Sequence, residues 1–181
     1  MSEKVQLINH ASIYIKLNNE VGMLSDPWYE GRAFDNGWSL LYENNENFIK
    51  QTLNKTNFIY ISHEHPDHFS IAFFKKYSTL IKKKNIKIIL QKTIDKRVEN
   101  FLKDKFNLEL IILENFKTQE ISGHKMTLID CGTIDSSLLL ETDHTYHLNL
   151  NDCDYTKSQL KKIKSLIKNK KKLVIYMQFS Y

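Results

Sequence analysis

Only two cysteines occur among the 181 residues, Cys131 and Cys153, and no Cys-x-x-Cys pair is formed. Their scarcity excludes a disulfide framework and a thiolate zinc finger, and it fits a reducing compartment. Long apolar runs are missing too. No stretch approaches the ~20 residues that a membrane-spanning helix needs, and the opening "MSEKVQLINH" lacks the apolar centre of a secretory signal. A cytoplasmic protein with no membrane partner is therefore expected. No glycine-rich or arginine-rich segment of the RNA-gripping kind is present, nor any internal repeat, low-complexity tract or linker. A single domain over residues 1–181 is expected, and 41% hydrophobic residues suffice for a sizeable core.

The net charge is +5 and the pI ≈ 9.0, which would suit a polyanion. The lysines, however, fall in short runs at residues 82–84 and 170–172, near expected helix ends. Cations are favoured there by the negative end of the helix dipole, so solvated faces account for the charge and nucleic acid is not an expected partner.

Alternating apolar and polar residues in "KVQLIN" and "SIYIKL", a turn over "NNEVG" and then "GMLSD" predict a meander of short antiparallel strands. Pro27, Gly31 and Gly37 break the pattern, so residues 26–38 read as a long irregular loop rich in aromatics. "NENFIKQTL" reads as a helix and "NFIYIS" as an apolar strand of the type buried on both faces. Ser70 fits as N-cap of the amphipathic helix "IAFFKKYSTLIKKK", and strand "IKIIL", helix "TIDKRVENFLKDK" and strand "LELIIL" continue an α/β alternation. Hairpin strands follow in "FKTQEI", "KMTLID", "SSLLLET" and "YHLNLN", with turns at "SGHK" and "TDHT". A helix over "YTKSQLKKIKSLIKNK" and a strand "KLVIYMQF", expected in a sheet interior, end the chain.

The densest chemistry lies in "ISHEHPDHFS", where His63, His65, Asp67 and His68 follow the apolar strand. Residues two apart in extended backbone leave on the same side, so His63 and His65 can converge on one ion. Pro66 ends the strand, and Asp67 and His68 can then swing to an adjacent position. Imidazoles with a carboxylate suit zinc, iron or manganese, and such a set can hold two ions ~3.5–4 Å apart with a bridging water. The alternative is a polar loop that merely contains histidines. Three of them with an aspartate at a sheet's C-terminal rim argue against it.

"HEHPDH" matches the H-x-H-x-D-H motif of the metallo-β-lactamase superfamily, in its setting after "FIYIS". "NHASIYIK" and "LSDPWYEGRAFDNGW" resemble one branch of it, containing the metal-binding region of CMP-N-acetylneuraminate hydroxylase and related bacterial proteins. The resemblance implies an αββα sandwich of the α/β class with its metal site along one edge. It implies His63 and His65 on a first metal, Asp67 and His68 on a second, and Asp152 of "NLNDC" as a bridging fifth ligand. Without the resemblance, Asp152 would read as a turn or N-cap aspartate. Asp26 resembles the family aspartate that orients metal ligands, with a turn-forming Asp-Pro as the other reading. His10 is expected at the site's edge or closing a hairpin. Trp28, Tyr29, Phe34 and Trp38 are expected as a substrate wall or as anchors of their loop. His124 and His144, in turns, are placed outside the site, and His147, in a strand, reads as structural, with a metal ligand as the lesser alternative. Two departures stand out: "DCGTIDSS" lacks the histidine that the family supplies there, leaving Asp135 as a stand-in, and the family's last histidine falls beyond the final strand. A domain incomplete at its C-terminal end is implied, with a homo-oligomer or partner chain completing the site.

The implied activity is that of a metal-dependent hydrolase. A metal-bound hydroxide would attack an ester, lactone, amide or phosphoester, Asp67 orienting the water or taking its proton. Two zinc ions are the expected cofactor, with iron or manganese as alternatives, and the branch points to a sugar or nucleotide-sugar derivative as the small-molecule substrate. The rivals are an iron-dependent oxygenase component, although Rieske ligand pairs are absent, and a catalytically inactive scaffold.

Overall fold

Strands β1 (Lys4–Asn9), β2 (Ser12–Lys16) and β3 (Gly22–Ser25) form the expected meander in the computed structural model, which describes residues 3–17, 21–132, 134–168 and 170–177. The turn expected over residues 18–22 and the end of the final strand lie partly outside the described residues. The chain divides into two compact units, residues 1–112 and 113–181, and it is mixed α/β with four described helices.

In the first unit β4 (Arg32–Ala33) and β5 (Trp38–Ser39) follow the meander, then α1 (Glu46–Leu53), β6 (Phe58–Tyr60), α2 (Ile71–Lys83), β7 (Lys87–Gln91), α3 (Arg97–Phe106) and β8 (Leu110–Leu113). The sheet order is β1-β2-β3-β6-β7-β8, with β6 parallel to both β3 and β7. Register places Tyr14, Leu24, Ile59 and Ile88 in one row across four strands. On that row pack Ile49 and Leu53 of α1, Phe73, Phe74, Tyr77 and Ile81 of α2, and Leu102 of α3. Each such side chain contributes ~1.5–3 kcal/mol on burial, which holds the three helices to the sheet. Strand β6 is buried on both faces, as its apolar run predicts.

Asn45 caps α1 through the Asn47 and Phe48 amides, and Ser70 caps α2 through Phe73. Two expectations change in this unit. Residues 26–38 are not wholly irregular: Phe34, Asp35 and Asn36 adopt positive φ, Gly37 N–H donates to the Phe34 carbonyl at 2.8 Å, and β4 pairs with β5. Helix α3 starts at Arg97 rather than Thr93, because the Thr93 hydroxyl and Asp95 carboxylate accept from the Lys96 and Arg97 amides and hold a turn ahead of it.

The second unit comprises β9 (Thr118–Ile121), β10 (His124–Cys131), β11 (Asp135–Glu141), β12 (Thr145–Asn151), α4 (Lys157–Leu166) and β13 (Lys172–Met177), with sheet order β13-β12-β11-β10-β9. Helix α4 buries Ile163 against Ile129, Leu139 and Leu148, and a reciprocal Thr156–Gln159 capping box starts it. The final strand is an edge strand among the described residues, not an interior one. It pairs parallel with β12 alone and exposes Leu173, Ile175 and Met177. The lysines at 170–172 accordingly sit at a strand start, where Lys171 pairs with Glu141, not at a helix end.

Candidate metal centre

Parallel neighbours β3 and β6 end at the same rim of the first sheet, and the Asp26 N–H extends their ladder by donating to the Tyr60 carbonyl at 2.9 Å. Asp26 takes φ 40°, a left-handed value that aspartate tolerates, and it is fully buried. Its carboxylate accepts from the Ser62 amide at 2.8 Å and from the Ser62 hydroxyl at 2.9 Å, and it lies 3.2 Å from His68 Nδ1. The backbone then turns: the His68 and Phe69 amides both donate to the His65 carbonyl, which lifts Asp67 and His68 back toward the strand end.

These bonds settle the ring tautomers. A carboxylate only accepts, so the single hydroxyl hydrogen of Ser62 goes to Asp26, and the hydroxyl oxygen accepts from His63 Nδ1 at 2.9 Å. His68 Nδ1–H lies between Asp26 and Ser62, at 3.2 and 3.3 Å. With Nδ1 of each ring engaged in this way, Nε2 is the ring atom each offers to a metal. Their centroids are 4.0 Å apart, and His63 Nε2 lies 3.0 Å from His65 Nδ1 on the exposed side.

Asp67 completes the cluster. Burial pushes its carboxyl up, but the His10 hydrogen bond and the charge of His68 outweigh burial and hold it below the ordinary carboxylate range. Its Oδ2 is 3.0 Å from His10 Nε2 and 3.5 Å from His68 Nε2. Its Oδ1 is buried with no hydrogen-bond partner among the described residues. A buried anionic oxygen left unpaired is costly, and a cation removes the cost. The donor set and this orphaned oxygen therefore fit a divalent ion.

The loop aromatics divide by depth. Trp28 and Tyr29 are buried, Trp28 edge-on to His10 at 5.2 Å and Tyr29 bonded to Ser12 at 2.6 Å. Trp38 is 53% exposed and Phe34 41%, their rings 5.1 Å apart, with Phe34 5.9 Å from His65 and Trp38 6.3 Å from His10. In the second unit, Asp152 is exposed in the turn after β12 and is not the α4 N-cap, which is Thr156. Asp135 opens β11 opposite Cys131. His124 opens β10 and is buried, His144 is exposed in the turn before β12, and buried His147 pairs with the Tyr176 hydroxyl at 2.7 Å. Sequence reasoning missed Ser62, the hub of the network. Its only signal is a hydroxyl between an apolar strand and the first histidine.

No family model matches the sequence. Over 90 residues the chain is 40% identical to the cytidine monophosphate-N-acetylneuraminic acid hydroxylase of Xenopus laevis, a match that takes in 50% of this chain and 15% of that protein. Among solved structures, a CmlA β-hydroxylase variant aligns with TM-score 0.70 at 12% identity, covering 92% of this chain and 34% of that one. CmlA from Streptomyces venezuelae is a diiron β-hydroxylase. A possible metal-dependent hydrolase from Veillonella parvula aligns at 0.64 and 16% identity, over 92% of this chain and 68% of the other. The metallo-β-lactamase fold protein YhfI from Bacillus subtilis aligns at 0.54 and 13% identity, over 81% and 56%. With its histidine cluster at the rim of a six-stranded sheet and these neighbours around it, the chain has the metallo-β-lactamase fold.

Proposed function

We propose that the chain is a metal-dependent hydrolase acting on an ester, lactone, amide or phosphoester of a small sugar or nucleotide-sugar derivative. One observation carries the reading: Asp26 and Ser62 hold the Nδ1 atoms of His63 and His68, which offers their Nε2 atoms to a metal beside an ionised, partly orphaned Asp67. His63, His65, Asp67 and His68 would hold the ions, zinc being the ion proposed. Asp152 as a further ligand, and Asp135 in place of the missing histidine, rest on the sequence resemblance. A divalent ion bound there supplies Lewis acidity, which lowers the pKa of a coordinated water toward ~7 and polarises a carbonyl or phosphoryl oxygen. Asp67, held in its ionised form, would orient the attacking water or take its proton. Phe34 and Trp38 offer exposed aromatic faces beside the cluster, and such faces stack on the flat side of a sugar or base. The name of the Xenopus relative supports that substrate class.

Iron-dependent oxygenation is the second reading, favoured because the matched relative and CmlA are both hydroxylases. Elemental analysis of the protein as purified, beside a His63→Ala/His65→Ala double variant, comes first. Bound zinc that the variant loses, with turnover of chromogenic esters or phosphoesters, is the expected result. Iron with reductant-dependent oxygen consumption and no hydrolysis moves the assignment to the second reading. Metal content that the double variant does not change overturns both and leaves a scaffold.

A further inference from the structure

We propose that His10 is the third protein ligand of the ion held by Asp67 and His68, a role that the H-x-H-x-D-H motif does not contain. The proposal rests on the metal-centre reading above and names a ligand that the reading lacks. His10 lies at the β1–β2 turn, more than fifty residues ahead of the motif, yet its ligand atom and those of Asp67 and His68 all lie within 4.8 Å of one another.

The His68 separation is that of two ligands on one ion, and the shorter His10 contact is a hydrogen bond that an ion would replace with a small opening. Donors at ~2.0–2.2 Å around a tetrahedral zinc stand ~3.3–3.6 Å apart. His10 Nε2 to Asp67 Oδ2 is 3.0 Å, and His68 Nε2 to the same oxygen is 3.5 Å. The second contact is the telling one. His68 Nδ1 is engaged by Asp26, so its Nε2 and the Asp67 oxygen, two atoms that ligate metals, face each other at a separation that a shared ion would set. A cation between them would be bound by both, and the buried Oδ1 of Asp67 offers a further donor atom.

His10 is also held for this use. Its N–H donates to the Asn9 side chain at 2.9 Å, and Asn9 Nδ2 donates in turn to the Tyr42 carbonyl at 3.1 Å and Asn44 Oδ1 at 2.6 Å, anchoring the turn to the following loop. The Trp28 and Trp38 rings meet the imidazole edge-on from two directions. The side chain keeps 28% exposure, so solvent reaches the cluster from this side.

The test compares wild type with His10→Ala, His10→Gln and His10→Cys, each checked by circular dichroism, measuring ion stoichiometry, affinity against a chromophoric chelator, and the visible spectrum with cobalt(II). Glutamine keeps a hydrogen bond to Asp67 but is a poor ligand, whereas cysteine is a strong one. Wild type is expected to hold two ions. The alanine and glutamine variants should each keep one and bind the other at least ~100-fold more weakly, and the cysteine variant should regain it with a thiolate-to-cobalt band in the near ultraviolet. Wild-type affinity for both ions in the alanine variant overturns the proposal. So does rescue by glutamine, which would make His10 a positioning residue for Asp67. A wild-type protein that binds no ion overturns the underlying metal-centre reading instead.

Discussion

Ser62 has one hydroxyl hydrogen, and three side chains converge on its oxygen: Asp26, His63 and His68. Ser62→Ala removes the bond that fixes the His63 tautomer while leaving the backbone bond to Asp26 in place. Metal affinity should fall ~10–100-fold with little change in the circular dichroism, as for other partners that orient metal ligands. A competition titration reads this directly, and unchanged affinity would refute the tautomer relay. Asp67 gives a pH prediction. Its folded carboxyl lies below the ordinary value of 3.8, so the stability it contributes is complete above that value and is lost as pH falls through the lower folded one. In metal-free protein, His10→Ala should therefore show a smaller loss of melting temperature on acidification through this window than wild type. The histidines and Asp67 are legible in six consecutive letters. Ser62 and the exact duty of Asp26 are not, because they depend on two strands thirty-odd residues apart ending at one rim.

Among the elements, the β4–β5 hairpin and the helix starts show what periodicity conveys and what it misses. Alternation and apolar spacing place β1 to β3, β6, α1 and α2 within a residue or two, since burial on one side writes itself into the sequence. The start of α3 was hidden because Thr93 and Asp95 offer the backbone a competing turn, and the two-residue strands β4 and β5 are too short to carry a period. Depth within the aromatic loop was equally hidden: Trp28 and Trp38 look alike as letters, yet one is buried and the other exposed. Trp38→Ala should raise KM ~2–10-fold for a hydrolysed sugar derivative with kcat nearly unchanged, the loss of one stacking contact. A fall in kcat alone would remove it from the substrate wall. Ser70→Ala, which deletes the cap of the helix that follows the cluster, should cost ~1 kcal/mol and lower the melting temperature by ~2–4 °C.

For the whole molecule, the α/β alternation and the histidine motif carried the fold class, while the sheet orders and the edge position of β13 were beyond reach, since strand neighbours are set by pairing rather than by any local pattern. A metal that binds only the folded chain adds ~2.7 kcal/mol at a concentration a hundred times its Kd, worth ~5–10 °C in melting temperature. Chelation should reverse the gain, and scanning calorimetry with and without chelator checks it. A difference of nothing would leave the scaffold reading standing. The parallel pairing of β3 with β6 also bears on how such a chain can vary. Side chains alternate across a strand, so one residue gained or lost between Asn57 and Ser62 would turn Ser62 away from Asp26 and carry His63 to the opposite face. The loop at residues 92–96, with Ile94 wholly exposed, can lengthen at small entropic cost. Insertions and deletions among chains that keep this centre should therefore collect in that loop and spare the five residues ahead of the first histidine.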